Sequence, residues 1–120
     1  MTIEIPLKLP GANEYINACR RNRFAGAKMK SDVQSQIGAF ISDLPVFDKP
    51  QRIHFLWIEG NKRRDLDNIC FAKKFILDAL VQNGKLKDDN RKFVAAFTDD
   101  FGYGVTHKVV MTFEDMEVEE

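Results

Sequence analysis

Two pairs of aspartates are the residues of this chain whose types and spacing could carry out chemistry. Asp65 and Asp67 stand two positions apart at the start of a predicted helix, and Asp88 and Asp89 follow that helix. Clustered carboxylates repel one another unless a cation neutralises them, and an all-oxygen ligand set suits Mg²⁺ or Mn²⁺. We therefore predict a Mg²⁺ site that uses these four aspartates, with Mn²⁺ as a substitute. Taken singly, each pair is also typical of a helix start or a turn.

Basic side chains surround both aspartate pairs, and a further basic cluster lies near residue 20. The net charge is zero, yet residues 1–30 and 61–92 each carry +4, whereas residues 93–120 carry −6. Carboxylates embedded among cations suit a phosphodiester substrate, because the metal serves the chemistry and the cations bind the backbone. The predicted DNA-binding residues are Lys62, Arg63, Arg64, Arg20, Arg21, Arg23, Lys85, Lys87 and Arg91.

Hydrophobic periodicity predicts the elements that must position these side chains. The chain of 120 residues suggests a single domain over residues 1–120. Alternating or β-rich runs predict strands at residues 2–9, 53–58, 92–98 and 105–113, the first at a sheet edge because of Pro6. Apolar spacings of three and four predict helices at 24–44 and 67–83, the second capped by Gly84. We expect residues 12–24 to be irregular, residues 99–104 to connect a hairpin, and the acidic end, 114–120, to be frayed.

The predicted order is therefore β-α-β-α-β-β, an α+β domain with a mixed sheet and two helices. The second helix spans about 16 residues and is roughly 24 Å long, so its two ends cannot share a metal directly. The Asp88–Asp89 loop would have to run back along the helix, and the next strand would pair beside the one ending at Ile58. Alternatively, the carboxylates meet across a dimer interface.

The chemistry-bearing segment also carries a family resemblance. The run from Lys62 to Asn68 (KRRDLDN), then Asp78-Ala79-Leu80, Gly84 and Asp88-Asp89, closely resembles the RusA family of Holliday junction resolvases. The early segment Pro10-Gly11-Ala12-Asn13 is similar to that family's Pro-x-x-Asn segment. The resemblance spans nearly the whole chain, and its specific part runs from Arg63 to Asp89.

This resemblance implies a homodimeric, Mg²⁺-dependent endonuclease that resolves four-way DNA junctions by paired symmetric nicks. It implies that Asp65, Asp67 and Asp89 are catalytic, with Asp88 as their acidic neighbour. It further implies an active-site lysine on the helix. Counting back from Asp78 selects Lys74, with Lys73 as the alternative.

Two other functions remain open from the sequence. One is a less selective metal-dependent nuclease that acts on flaps, forks or single strands with the same carboxylates. The other is a branched-DNA-binding module without cleavage, for which metal would be dispensable. No apolar run is long enough for a membrane span and the N-terminal segment has no signal-peptide pattern, so we expect a cytoplasmic protein. The resemblance to RusA resolvases implies that it is bacterial or phage-encoded.

Overall fold

A four-stranded mixed sheet forms the centre of the fold. The structure is a computed structural model that describes residues 1–117. Its strands are β1 (Thr2–Ile5), β2 (Gln51–Glu59), β3 (Val94–Tyr103) and β4 (Lys108–Asp115). Their spatial order is β1-β4-β2-β3; β2 and β3 are parallel, and β4 is antiparallel to both β1 and β2. The predicted α+β class and the edge position of β1 are confirmed.

The alternation of apolar residues along β2 divides the sheet into two faces. Ile53, Phe55 and Trp57 are buried, while the side chains between them are half-buried. The buried side chains join residues of the helices in one hydrophobic core. Burying this apolar surface is the main stabilising contribution to such a fold. The core fixes β2, and through it the loop that carries Asp65.

Four helical segments pack with the sheet, where two were predicted. They are α1 (Ala12–Arg21), α2 (Arg23–Ile41), α3 (Leu66–Cys70) and α4 (Lys73–Gln82). The interpretation of residues 12–24 as irregular was wrong. Residues 12–21 form a helix in which Ala18 is buried and the other nine residues are half-buried or exposed. The helix predicted at 67–83 is divided into α3 and α4 by a short turn at residues 71–72.

The segment β2–α3–α4–β3 is a crossover between two neighbouring parallel strands. Its helical part ends at Gly84, whose φ of 71° is the left-handed conformation that glycine adopts without strain. Gly84 N–H donates to Val81 O, and Lys85 N–H donates to Leu80 O. This pair of hydrogen bonds is the Schellman motif, so the predicted glycine cap is confirmed. The chain direction therefore reverses immediately after α4.

Two predictions for the C-terminal third are wrong. Residues 99–103 belong to β3 instead of a hairpin connection, and the turn follows at residues 104–107. Glu114 and Asp115, which were expected to be frayed, are the last residues of β4. Residues 118–120 of the predicted frayed end lie outside the described residues. Across residues 1–117, no helix is long and apolar enough to cross a membrane.

Candidate active site

A buried ion pair holds the loop that leads into Asp65. Arg64 donates from Nε and Nη2 to the two carboxylate oxygens of Glu59, at 2.8 and 3.0 Å. It also donates from Nη1 to the carbonyl of Leu9, at 2.9 Å. The Arg64 side chain is 12% exposed and that of Glu59 is 6% exposed. Because a bidentate arginine–carboxylate pair fixes distance and orientation together, the chain enters α3 along one defined path.

Arg64, one of the predicted DNA-binding residues, thus has partners within the protein. Glu59 accepts a further hydrogen bond from His107 Nδ1 at 3.0 Å. Burial acts to raise the pKa of Glu59, but hydrogen bonds and charge from Arg64 and His107 outweigh it and hold the pKa below its ordinary value. Glu59 is consequently ionised at neutral pH, as the charge on Arg64 requires.

A second tie connects α3 to the start of α1. Asn68 Oδ1 accepts a hydrogen bond from the backbone N–H of Asn13 at 2.9 Å, in the first turn of α1. A Cβ atom at Gly11 would lie 2.5 Å from Asn68 Oδ1 and 2.8 Å from the Asn68 carbonyl oxygen. Only glycine permits this approach. The Pro-Gly-Ala-Asn segment and the Asp-Leu-Asp-Asn segment, far apart in sequence, thus form one packed unit.

Asp65 and Asp67 both lie exposed at the beginning of α3. Asp65 occupies the N-cap position, where its carbonyl accepts the first helical hydrogen bond from Ile69, but its side chain makes no capping bond. Asp67 follows in the first turn. Among residues 1–117, neither carboxylate has a hydrogen-bond or ion-pair partner. The structural alternative for Asp65, a side-chain helix cap, is therefore absent here, and both carboxylates are free to bind a ligand.

The loop after α4 returns along the helix, which is one of the two arrangements that the sequence left open. Leu86, 1% exposed, anchors the loop in the core, and Phe47 N–H donates to the Lys85 carbonyl. Asp89 Oδ2 then accepts from Lys74 Nζ at 3.0 Å. Since Lys74 lies in the first turn of α4, the loop brings Asp89 back toward the helix end that follows Asp67. The expectation that the next strand, β3, pairs beside β2 is confirmed.

Lys74 and its acidic neighbours form a charged network on this side of α4. Lys74 Nζ is 3.0 Å from both Asp89 and Asp78, and Lys30 of α2 is 3.1 Å from Asp78. The hydrogen bond with Asp89, followed by that with Asp78, raises the pKa of Lys74, and the Lys74 hydrogen bond lowers the pKa of Asp89. This lysine is therefore a fixed cation, unsuited to proton transfer near neutral pH and suited to contact with an anion.

The network lines an open cavity of about 330 Å³ between α2, α4 and the returning loop. Asp88 is part of this lining, and its two oxygens accept from the Asp89 N–H and from Asn90 Nδ2. Gln34 also contributes; it is 5% exposed, and its amide nitrogen has no hydrogen-bond partner among residues 1–117. The site therefore offers carboxylate oxygens, a fixed cation and an unused donor.

Sequence reasoning missed a second lysine–aspartate pair beside α3. Lys73 Nζ donates to Asp99 Oδ2 at 2.6 Å and stands 3.8 Å from the centre of the Phe97 ring. Trp57 Nε1 donates to the other oxygen of Asp99 at 2.8 Å. Burial is the main cause that raises the pKa of the Cys70 thiol, followed by the nearby charge of Asp99. Lys73 thus pairs with Asp99, whereas Lys74 pairs with Asp78 and with a predicted site residue, Asp89.

The predicted site residues fall into two groups in this structure. Asp65 and Asp67 lie at the start of α3, whereas Asp88, Asp89 and Lys74 lie together on the cavity. Within the described part of the chain, no three carboxylate, imidazole or thiol side chains surround one point as a metal cage would require. A Mg²⁺ ion commonly binds through one or two carboxylates, with water and substrate phosphate completing its shell.

The other predicted DNA-binding residues lie on three parts of the surface. Lys62 and Arg63 are exposed beside the start of α3, and the Lys62 ammonium lies 5.0 Å from the Tyr103 ring centre. Lys85 donates to the Ser42 carbonyl, which draws it toward the end of α2. The remaining exposed members are Lys87 and Arg91 in the returning loop, and Arg20, Arg21 and Arg23 where α1 meets α2.

No protein-family model matches this chain, and no curated protein is significantly similar to it.

Proposed function

We propose that this protein is a Mg²⁺-dependent endonuclease that resolves four-way DNA junctions by paired symmetric nicks. The supporting observation is the return of the Asp88–Asp89 loop along α4, with Asp89 hydrogen-bonded to Lys74. Without that return, the acidic pair would lie beyond the far end of α4, whereas the Asp65–Asp67 pair lies at the start of α3. The choice of a four-way DNA junction as the substrate rests on the resemblance of residues 63–89 to RusA resolvases.

Asp65 and Asp67 are the carboxylates best suited to hold the ion. Their oxygens match the preference of Mg²⁺, and both side chains are exposed and unpaired within residues 1–117. When bound, Mg²⁺ supplies charge neutralisation at the phosphodiester and lowers the pKa of a bound water. Asp89 and Asp88 supply the second acidic pair. All four proposed metal ligands are therefore carboxylates.

The protein's own residues have separable tasks in this proposal. Lys74 presents a fixed positive charge to the phosphoryl or leaving oxygen, where charge accumulates in the transition state. Arg64 and Glu59 hold the loop so that Asp65 and Asp67 keep their orientation. The exposed cations Lys62 and Arg63 bind flanking phosphates.

Paired nicks require two active sites. Since each chain carries one such cluster, the proposal requires two chains. A homodimer with two-fold symmetry would place two equivalent sites on a junction that has matching symmetry. We therefore expect a dimer in solution, which sedimentation of the purified protein would measure.

The decisive experiment compares cleavage of a labelled four-way junction, a linear duplex and a single strand, with Mg²⁺ and with EDTA. The proposal predicts symmetric cuts on the junction that need Mg²⁺. It further predicts that Asp65→Asn and Asp67→Asn abolish cutting but still bind the junction, because removing a negative charge does not weaken phosphate contacts. Asp43→Asn, an exposed aspartate in the turn after α2, is the matched control and should cut normally.

Each alternative has its own outcome in this experiment. Equal cutting of all three substrates would support a less selective nuclease. Junction binding without cutting in either Mg²⁺ or Mn²⁺ would overturn the catalytic assignment of the aspartates and favour a binding module. Loss of both binding and cutting in a folded Asp65→Asn protein would mean that Asp65 has a structural role.

A further inference from the structure

The turn between α1 and α2 presents an aromatic ring within a basic cluster. Phe24 is 68% exposed, a high value for a large apolar side chain. Arg20 and Arg21 end α1, Arg23 begins α2, and all three are exposed. Residues 15–31 contain five basic side chains and no acidic one. Lys28 and Lys30 are paired with Asp32 and Asp78, but the three arginines form no ion pair among residues 1–117, so the ring has a positive setting.

The backbone at this turn is fixed, so the ring has a defined position. Asn22, with φ −168° and ψ 166°, is the extended residue that ends α1 and precedes α2. Its side-chain oxygen accepts from the N–H groups of Phe24 and Ala25, at 3.0 and 2.9 Å. A Cβ atom at Gly26 would collide with the Cys19 side chain, which shows how closely the two helices pack behind the turn. Phe24 thus projects from a rigid support.

The turn lies on the same helical hairpin that contacts the candidate active site. The opposite end of α1 is tied to α3 through Asn13 and Asn68, and the Tyr15 ring is 5.7 Å from that of Phe71. A helix of 10 residues is about 15 Å long. DNA that occupied the start of α3 would therefore need to extend only a few base steps to reach Phe24.

These observations indicate a nucleic acid as the partner. Arginines that form no ion pair within the protein can bind phosphates, whereas an exposed aromatic ring offers a face on which a base can stack. The Arg23 guanidinium already lies over the Phe24 ring, 4.8 Å from its centre, and this stacking leaves the other face of the ring for contact. In intact duplex the bases are stacked on one another, so such a ring finds an open base where stacking is interrupted.

We propose that Phe24, supported by Arg20, Arg21 and Arg23, stacks on an unstacked base at the branch point of the DNA substrate. This inference rests on the proposed junction-cleaving function and adds the residue that distinguishes a branch from a continuous duplex. Arginine contacts to phosphate alone would not distinguish the two, because both present the same backbone charge. A continuous helical stack is interrupted at a branch point, so the unstacking that such an inserted side chain requires costs less free energy there than within a duplex.

The test measures binding in EDTA, so that cleavage does not interfere. The probes are a four-way junction and a linear duplex of the same arm sequence, each with 2-aminopurine at the branch position or its duplex equivalent. The variants are Phe24→Ala and Phe24→Trp, with Phe40→Ala as the matched control, because Phe40 is a 39% exposed phenylalanine elsewhere on α2. Urea unfolding would verify that Phe24→Ala is as stable as the parent.

Phe24→Ala should weaken junction binding by about 5- to 150-fold, the range of one base–aromatic stacking contact. Duplex binding should stay within about twofold, because phosphate contacts are kept. Phe24→Trp and Phe40→Ala should bind the junction as the parent does, and the 2-aminopurine signal should change on binding only when residue 24 is aromatic. Equal junction affinity of Phe24→Ala and the parent, with measurable binding, would overturn the stacking role alone. Failure of the parent protein to bind either DNA would overturn the proposed function together with it.

Discussion

Replacing Glu59 by glutamine should loosen the loop that carries Asp65 and destabilise the whole domain. Glutamine keeps the size of the side chain but removes its charge, and it puts an NH₂ group where a carboxylate oxygen now accepts from Arg64 or His107. The Arg64 side chain, 12% exposed, would lose its charged partner and keep two neutral acceptors, the remaining amide oxygen at position 59 and the Leu9 carbonyl, with the Glu14 carboxylate at 3.7 Å.

The free energy of unfolding should fall because Glu59→Gln leaves a largely buried cation, Arg64, without its counter-ion. Removing one partner of a buried pair costs about 3–5 kcal/mol, and the residual exposure of Arg64 with the nearby Glu14 reduces this to about 2–4 kcal/mol. That is a large part of the roughly 5–15 kcal/mol that stabilises a domain of this size. The double variant Glu59→Gln with Arg64→Met should recover part of the loss, because it leaves no unpaired charge.

Urea unfolding of the parent and both variants over a range of pH would measure these effects. Because the folded-state pKa of Glu59 is lowered, its stabilising contribution is complete above the ordinary glutamate pKa of 4.5 and is lost as pH falls through the lower, folded value. The difference between parent and Glu59→Gln should therefore be full at neutral pH and shrink in acid. A difference of less than about 0.5 kcal/mol at neutral pH, the size of an ordinary surface substitution, would refute this account.

Two further substitutions test the arrangement around α3 and α4. Gly11→Ala should destabilise the fold by about 1–3 kcal/mol, because its methyl group would overlap Asn68, and thermal unfolding would detect this; an unchanged melting temperature would contradict the close approach. Lys74→Met should raise the pKa of Asp89 toward the ordinary 3.8, as followed by NMR titration of the carboxyl group, and should reduce junction cleavage. If Lys73→Met reduces cleavage and Lys74→Met does not, the assignment of the active-site lysine is reversed.

The elements with a clear apolar period could be predicted from the sequence. The alternation in β2 and the three- and four-residue spacing in α2 reflect burial on one face, which is a property of each segment itself. The glycine cap at Gly84 was predictable for the same reason, since its left-handed conformation is a local requirement. The position of β3 beside β2 was one of two arrangements that the length of the helix between the aspartate pairs left open.

The elements that were missed depend on contacts distant in sequence. α1 has little apolar surface to bury, so its polar residues resembled a loop, and the hydrogen bond that ties its start to α3 joins residues 55 positions apart. Asp99 and Asp100 resembled a turn because aspartate is uncommon within strands, yet β3 is an edge strand where Asp99 finds Lys73 and Trp57. The pairing of Arg64 with Glu59 could not be identified from spacing alone.

The sheet order has a consequence for how the chain acquires its structure. Within residues 1–117, β1 pairs only with β4, and Thr2 lies opposite Thr112. During synthesis on the ribosome, the first strand must therefore wait until nearly all of the later chain has emerged before it finds its neighbour. The β2–α3–α4–β3 unit joins partners much closer in sequence and can assemble earlier. We expect β1 to be the last strand to become protected from hydrogen exchange during refolding.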